Sequence, residues 1–182
     1  MKKINKLLAG VVLGCVVSSN AFASSLIYPT FKKGATFGVQ VKSVSFDKKL
    51  GLNDTAVYGL YYGMNWDFGE SAAWGMKLSF ELDGASMKDS DGKSFTYMDY
   101  YALMAPSYTF VFGKSNLSIY GGGKFGYNKF ENTNGYAYGY VVGVEYDYKA
   151  LNIGVNYFNG TTVISGIDFD ISEIGGYIGY NF

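Results

Sequence analysis

Charged side chains stand at intervals inside segments that otherwise alternate between apolar and small or polar residues. Six of them offer the chemistry of this sequence: Lys42, Lys77, Glu81, Lys124, Glu145 and Glu173. A buried charge without a partner costs several kcal/mol, so lysine and glutamate on one inner face are expected to pair. Counted along their segments, Lys42, Glu81, Lys124 and Glu173 fall at one height, to within about two residues of strand. We predict an ion-pair layer there, with Lys77 and Glu145 nearer one end.

Two roles remain open for this layer. As a structural network, it would fill an interior that is just wide enough for side chains and would satisfy every charge in it. As a gate, the same pairs would rearrange and open a narrow path for ions.

Two glycine-containing motifs match ligand-binding patterns in spacing but not in context. Residues 121–126 (GGGKFG) match GxGxxG, but a dinucleotide site needs a helix after the glycines. Strand-like alternation flanks them on both sides, so we interpret them as strand glycines that relieve crowding. Residues 89–92 (DSDG) echo the start of a calcium loop without its bidentate glutamate, and we predict a turn.

The composition argues against catalysis. The chain has no histidine, all 15 of its basic residues are lysine, and 15 acidic residues balance them. Without histidine, both the usual general base at neutral pH and the commonest metal ligand are missing. A nucleic-acid-binding protein normally carries a basic excess, which is absent here. We predict a protein that is not an enzyme, holds no cofactor and does not bind nucleic acid.

The first residues have the pattern of a secretory signal peptide. Three lysines within residues 2–6 precede an apolar run at 7–17, which is too short to cross a bilayer as a helix. Ala21 and Ala23 then supply the small residues of a cleavage site. We predict a signal peptide over residues 1–23 and export of the remaining chain.

One alternative to this cleavage stays open. Cys15, the only cysteine, lies within the apolar run in a sequence that faintly resembles a lipoprotein signal. Cleavage after Ala23 would leave residues 24–182 as one domain without cysteine, and disulfides would then play no part in its stability.

The elements that must position the charges are strands. Eight segments alternate with a period of two residues, which is the strand period. They are 34–46, 55–68, 74–83, 96–112, 117–129, 136–148, 151–158 and 170–182. Tight connections (69–73, 113–116 and 149–150) alternate with longer, more polar ones (47–54, 84–95, 130–135 and 159–169). Such asymmetry is typical of a transmembrane barrel.

The two faces of these segments indicate which side meets the membrane. One face is almost entirely aromatic and aliphatic, whereas the other carries Lys, Glu, Asp, Asn, Ser and many glycines. Charge and glycine would make a poor apolar core for a soluble eight-stranded barrel, which leaves a soluble carrier as the disfavoured alternative. We predict an all-β fold, an eight-stranded antiparallel up-and-down transmembrane β-barrel with a polar interior.

Two local features follow from this prediction. Pro106 would interrupt a ladder and is expected to introduce a bulge or kink. An interfacial girdle is expected from aromatic residues near strand ends: Trp66, Trp74, Tyr108, Tyr146, Tyr148 and Tyr180.

The last strand resembles a known assembly signal. Phe182 ends the chain, and Ile174, Ile178 and Tyr180 stand at alternate positions before it, as in the C-terminal signal of bacterial outer-membrane barrels. Together with the signal peptide and eight strands, this is similar to the small eight-stranded outer-membrane barrel superfamily of the OmpA/OmpX type, without a periplasmic domain. The resemblance implies the outer membrane as location and the barrel-assembly machinery as a partner.

The functional prediction is correspondingly general. We expect a structural or surface-interaction barrel, with a narrow ion or small-solute pore as the alternative. Outer-membrane lipid and lipopolysaccharide are expected partners, and a host or surface ligand stays unnamed. The outer rim is expected to carry Lys48, Lys49, Lys88 and Lys93 among the aspartates Asp47, Asp54, Asp83, Asp89, Asp91, Asp99, Asp168 and Asp170.

Overall fold

The computed structural model describes residues 34–67, 73–89, 91–131 and 133–182. The predicted signal peptide, with Cys15, Ala21 and Ala23, lies outside the described residues. The strands are β1 (Ala35–Phe46), β2 (Thr55–Asp67), β3 (Trp74–Lys88), β4 (Ser94–Phe112), β5 (Ser115–Phe130), β6 (Thr133–Tyr148), β7 (Leu151–Ile164) and β8 (Ile167–Asn181). A short 3-10 helix, Lys48–Leu50, follows β1. Within these residues there is no helix of the length and apolar character needed to cross a membrane.

The eight strands close on themselves. Each strand pairs antiparallel with the next, and β8 pairs with β1 to complete an up-and-down barrel, which confirms the predicted fold class. Traced from Ala35 through all eight registers, the pairing returns to β1 at Ser45, ten residues further along. This stagger tilts the strands by about 40° and keeps the interior narrow. We call the end that carries Gly34 and Phe182 the inner end and the opposite one the outer end.

Side chains alternate between the interior and an apolar outer surface. On β1, Gln40 and Lys42 are buried inside, whereas Val39 and Val41 between them point outward and are exposed. Outward residues elsewhere include Ile174, whose exposed fraction is 63 %. A soluble protein does not present a continuous belt of this kind to water, so the surface contradicts the alternative of a soluble carrier.

Two aromatic girdles bound the apolar surface. The six aromatic residues predicted for a girdle lie at the inner end, where the Trp74 and Tyr108 rings meet edge to face with centroids 5.0 Å apart. A second girdle at the outer end was missed and consists of Tyr58, Tyr100, Tyr127, Tyr136, Tyr138 and Tyr140. About nine residues of tilted strand separate the girdles, roughly 20–25 Å in height, which matches the apolar band of outer-membrane barrels.

The interior is apolar towards the outer end, which corrects the expectation of a wholly polar interior. Thirteen buried hydrophobic residues pack together inside the barrel and reach towards the inner end as far as Tyr120, next to Lys77. The outer part of this group, which we call the apolar cluster, includes Val44, Phe46, Met87 and Tyr97. Leu50 and Leu52, in the connection after β1, pack against them and cover the outer end. Sequence alternation hides this cluster, because its members occupy inward positions that are polar lower in the same strands.

Three of the four outer connections are shorter than predicted, and the fourth, 47–54, has the predicted bounds. Residues 84–95, expected as a loop, reduce to 89–93 because β3 and β4 continue above the apolar surface. Residues 159–169 reduce to Ser165 and Gly166, which have φ values of 53° and 80° and form a two-residue hairpin turn. Outward apolar residues stop where lipid contact stops, but the backbone ladder continues, so the sequence pattern underestimates strand length.

Pro106 interrupts one ladder without a bulge. On the β5 side, Met104 pairs with Gly123 and Ser107 pairs with Tyr120, but the two residues between them in β4 do not pair. The register is the same before and after this gap. On the β3 side, Pro106 stays in register opposite Met76. Of the bulge or kink predicted at Pro106, the bulge is absent, and the pairing of β4 and β5 has a local gap at this point.

We predict that the wall next to Pro106 tolerates no added methyl group on its inner face. A Cβ at Gly122 would lie 2.5 Å from Ala105 Cα, so Gly122→Ala is expected to destabilise the barrel by about 1–3 kcal/mol. Gly123→Ala is the matched control, because no atom lies within 4 Å of its Cβ position. The free energy of unfolding in detergent measures both, and equal effects of the two variants would contradict the close approach.

Candidate functional site

Six charged residues from five strands meet inside the barrel and form what we call the charge layer. It consists of Lys42 on β1, Glu81 and Asp83 on β3, Asp99 on β4, Lys124 on β5 and Glu173 on β8. None of them is more than 4 % exposed. The four residues predicted to share a height are all in the layer, and the tilt and closure of the barrel bring their four strands to one level.

Lys42 lies among all four carboxylates of the charge layer. Its Nζ atom is 2.6 Å from Asp83 Oδ2, 3.2 Å from Glu81 Oε2, 3.3 Å from Asp99 Oδ1 and 3.5 Å from Glu173 Oε2. Each ammonium group has only three protons, so the four carboxylates share them. Lys42 therefore connects β1 electrostatically to β3, β4 and β8.

Lys124 links the two glutamates of the layer. Its Nζ atom donates to Glu81 Oε2 at 2.8 Å and to Glu173 Oε2 at 2.7 Å. Glu81 thus lies between the two lysines and forms an ion pair with each. Because these contacts join strands that are not neighbours in the sheet, the charge layer braces the barrel across its interior as well as around its wall.

Neutral side chains complete the surroundings of the charge layer. Gln40 Nε2 donates to both carboxylate oxygens of Asp83, at 2.9 and 2.8 Å. The Lys124 ammonium lies 4.3 Å from the centroid of the Tyr101 ring and 5.1 Å from that of Phe158. Cation–π attraction of this kind stabilises an ammonium group that is removed from water.

Lys77 and Glu145 form a separate ion pair nearer the inner end, as their predicted heights imply. Glu145 also accepts hydrogen bonds from Asn65 Nδ2 and from the Tyr177 hydroxyl, both at 2.8 Å. The Lys77 ammonium faces the rings of three tyrosines, Tyr61, Tyr120 and Tyr177. The Tyr61 and Tyr177 rings stack with centroids 4.1 Å apart, and the pair is buried with them inside the barrel.

Asp83 and Asp99 correct the prediction for the outer rim. Both were expected among the rim aspartates, but both point inward and are buried in the charge layer. The cause is the length of the hairpin, since β3 continues five residues beyond Asp83 to Lys88 and β4 begins five residues before Asp99, at Ser94. Asp83 stands two residues after Glu81 and therefore on the same inward face of β3, and this spacing would have placed it correctly. The prediction also missed Gln40.

The arrangement leaves no open path through the described part of the barrel. A cavity of about 220 Å³ opens at the inner end between Asn65, Asp147 and Asn181. Above it lie the Lys77–Glu145 pair, the charge layer and the apolar cluster, all buried. Across the residues that the structure describes, no group of three or more Asp, Glu, His or Cys side chains is arranged to hold a metal ion.

A closed antiparallel barrel with an apolar outer surface and buried internal charges defines a transmembrane β-barrel. Its fold is that of the small eight-stranded outer-membrane barrels. The outer membrane protein OprG from Pseudomonas aeruginosa is 15% identical over 84% of this chain and 97% of its own, with a TM-score of 0.56. Ail, the attachment invasion locus protein of Yersinia pestis, is 16% identical over 82% of this chain and 97% of its own, with a TM-score of 0.53.

A further structure shows Ail in complex with the heparin analogue sucrose octasulfate, and its TM-score is 0.52 at 16% identity. At this identity the likeness concerns the fold. No protein-family profile and no curated sequence matches the chain.

We predict that the charge layer is energetically coupled. Lys124→Met leaves Glu81 and Glu173 without their closest cation and is expected to cost about 3–5 kcal/mol of unfolding free energy. Glu173→Gln in the same chain removes one of the stranded charges, so the double variant is expected to be more stable than Lys124→Met alone. Unfolding in detergent, followed by heat-modifiable gel migration, measures the cycle; strictly additive effects would show that the two residues act independently.

Proposed function

We propose that the chain is a non-enzymatic outer-membrane protein whose barrel is a closed anchor and whose outer rim interacts with the cell surface. The observation that carries this proposal is the filled interior. Every charged residue of the charge layer is buried and paired within the barrel, so exposed chemistry is confined to the rim and the connections. A role outside the barrel follows more directly from this than transport through it.

Location in the outer membrane is supported by the surface and by the fold. The two girdles delimit an apolar band of roughly the height that outer-membrane barrels show. The predicted signal peptide at 1–23 accounts for export of such a chain. The neighbours in structure, OprG and Ail, are outer-membrane proteins of the same architecture.

The terminal strand supports the barrel-assembly machinery as a partner. Ile174, Ile178 and Tyr180 project outward from β8 and are exposed, as is the terminal Phe182. The same strand closes the barrel by pairing with β1 from Ile171 to Asn181. The barrel-assembly machinery could recognise these outward apolar residues of β8 before the strand pairs with β1 and closes the barrel.

Lysines of the outer rim support lipopolysaccharide as a partner. Lys88 on β3 and Lys129 on β5 are exposed and stand on either side of β4, above the outer girdle residues Tyr100 and Tyr127. Ammonium groups at this height can reach the phosphates of lipid A, and lysine binds phosphate as a point charge. Ail forms a complex with the heparin analogue sucrose octasulfate in a crystal structure, which is one anionic ligand for a barrel of this fold.

The narrow pore is the second candidate, and one observation favours it. Lys42 has four carboxylates within 3.5 Å, so it can exchange partners without losing all of them. An open state would also require movement of the Lys77–Glu145 pair and of the apolar cluster. The closed anchor therefore has the stronger support.

We predict that the outer lysines contribute to lipopolysaccharide binding. Replacing Lys88 and Lys129 together by alanine is expected to weaken binding to lipopolysaccharide-containing vesicles by about 2 kcal/mol at low salt, at about 1 kcal/mol per lysine. The matched control replaces Lys114 and Lys149, which are exposed in the turns of the inner end and change the net charge equally. Vesicle flotation at several salt concentrations measures the binding of both double variants. If the control variant loses as much binding, the effect is due to net charge and not to the position of the lysines.

A further inference from the structure

The charges of the charge layer do not balance. Two lysines, Lys42 and Lys124, face four carboxylates, and all six side chains are cut off from solvent. With every carboxylate ionised, a fully buried group of side chains would carry two excess negative charges. Burial of uncompensated charge is so unfavourable that a group in this position commonly takes up a proton instead.

The four carboxylates are not equally well held. Asp83 accepts from Lys42 at 2.6 Å and from Gln40 at both oxygens. Glu81 and Glu173 each accept from Lys124 at 2.8 Å or less. Asp99 has a single and longer contact with an ammonium group, 3.3 Å from its Oδ1 atom to Lys42 Nζ. Its Oδ2 atom is buried without a hydrogen-bond partner, as is the Oε1 atom of Glu81 and of Glu173. Asp99 is therefore the carboxylate that its surroundings stabilise least as an anion.

The neighbours of Asp99 in the sheet suit an acid better than an anion. On one side it lies directly opposite Asp83 in the β3–β4 ladder, where like charges repel. On the other side it lies opposite Asn128 in the β4–β5 ladder. Asn128 is fully buried, and its Nδ2 atom donates to the Tyr97 hydroxyl while its Oδ1 atom receives no donor. Two acceptors without donors thus stand on facing positions of adjacent strands.

We propose that the charge layer binds one proton at neutral pH, held on Asp99 Oδ2 as a neutral carboxylic acid. The proton turns an orphaned acceptor into a donor and supplies what Asn128 Oδ1 lacks. It also removes the repulsion between Asp99 and Asp83 and lowers the excess charge of the layer from two to one. Asp83 keeps its contacts with Lys42 and Gln40.

The groups packed around the proton come from every strand that contributes charge at this level. They are Lys42 on β1, Glu81 and Asp83 on β3, Tyr97 and Tyr101 on β4 itself, Lys124 on β5 and Glu173 on β8. The three other carboxylates each hold an ammonium contact at 2.8 Å or less, so the proton is assigned to Asp99.

The stability of the barrel tests this assignment. An unfolded aspartate is ionised above about pH 5, so a folded state that keeps the proton loses stability as the pH rises. The unfolding equilibrium constant of the wild type, divided by that of Asp99→Asn, is expected to rise about tenfold per pH unit between pH 5 and 8. The asparagine side chain of the variant has the shape of a neutral aspartic acid, and all other titratable groups are the same in the two proteins. The pH dependence of the ratio therefore reports on Asp99 alone. A ratio that does not change with pH would overturn the proposal.

A matched variant and a direct measurement complete the test. Asp83→Asn removes the carboxylate closest to Lys42, at 2.6 Å, so it is expected to destabilise the barrel at pH 7 more than Asp99→Asn does. The reverse order would contradict the assignment. Infrared spectroscopy of the folded wild type at pH 7 is expected to show the carbonyl stretch of a buried carboxylic acid, which Asp99→Asn abolishes. Its absence from the wild type would also overturn the proposal, whatever the stability of the variants.

Discussion

The pairing of buried lysines with carboxylates inside a narrow barrel is the interaction on which the rest of the structure depends. Eight strands enclose an interior that is only wide enough for side chains, so a charge placed there cannot rely on solvent. Lys42 and Lys124 meet this constraint by contacting carboxylates from three other strands. The charged residues of distant strands must then lie at one height in the barrel, and the ten-residue stagger of the strand pairing places them there. The apolar side chains of the same strands point outward to the lipid.

The same constraint divides the interior into levels with different roles. The Lys77–Glu145 pair and its tyrosines lie nearest the inner end, the charge layer lies above them, and an apolar cluster closes the outer end under Leu50 and Leu52. Ion pairs thus connect non-adjacent strands in the two lower levels, and packing of buried apolar side chains connects them in the upper level. Because the interior is occupied at these levels, we propose that other molecules interact with the rim and the outer surface.

Sequence reasoning recovered the features that depend on alternation alone. The period of two residues identified all eight strands. The pattern of polar residues correctly predicted which face of each strand points inward, and it placed Lys42, Glu81, Lys124 and Glu173 at one height. It failed where the pattern carries no information about lipid. Above the membrane the alternation of β3 and β4 inverts, because outward positions such as Ser86 and Thr96 become polar while inward positions such as Met87 and Tyr97 become apolar. The extension of these strands was therefore hidden, and Asp83 and Asp99 were assigned to the rim. The apolar cluster at the outer end was also hidden, because a few large inward residues look like breaks in an otherwise polar face.

A filled, non-conducting interior is the central claim of this account. The most direct test is the conductance of the purified, refolded chain in a planar bilayer, with folding verified by heat-modifiable migration on a gel. The account predicts a silent bilayer, because the charge layer, the Lys77–Glu145 pair and the apolar cluster leave no continuous path through the barrel. Discrete, reproducible current steps from the folded protein would contradict it and would identify the charge layer as the gate of a narrow pore.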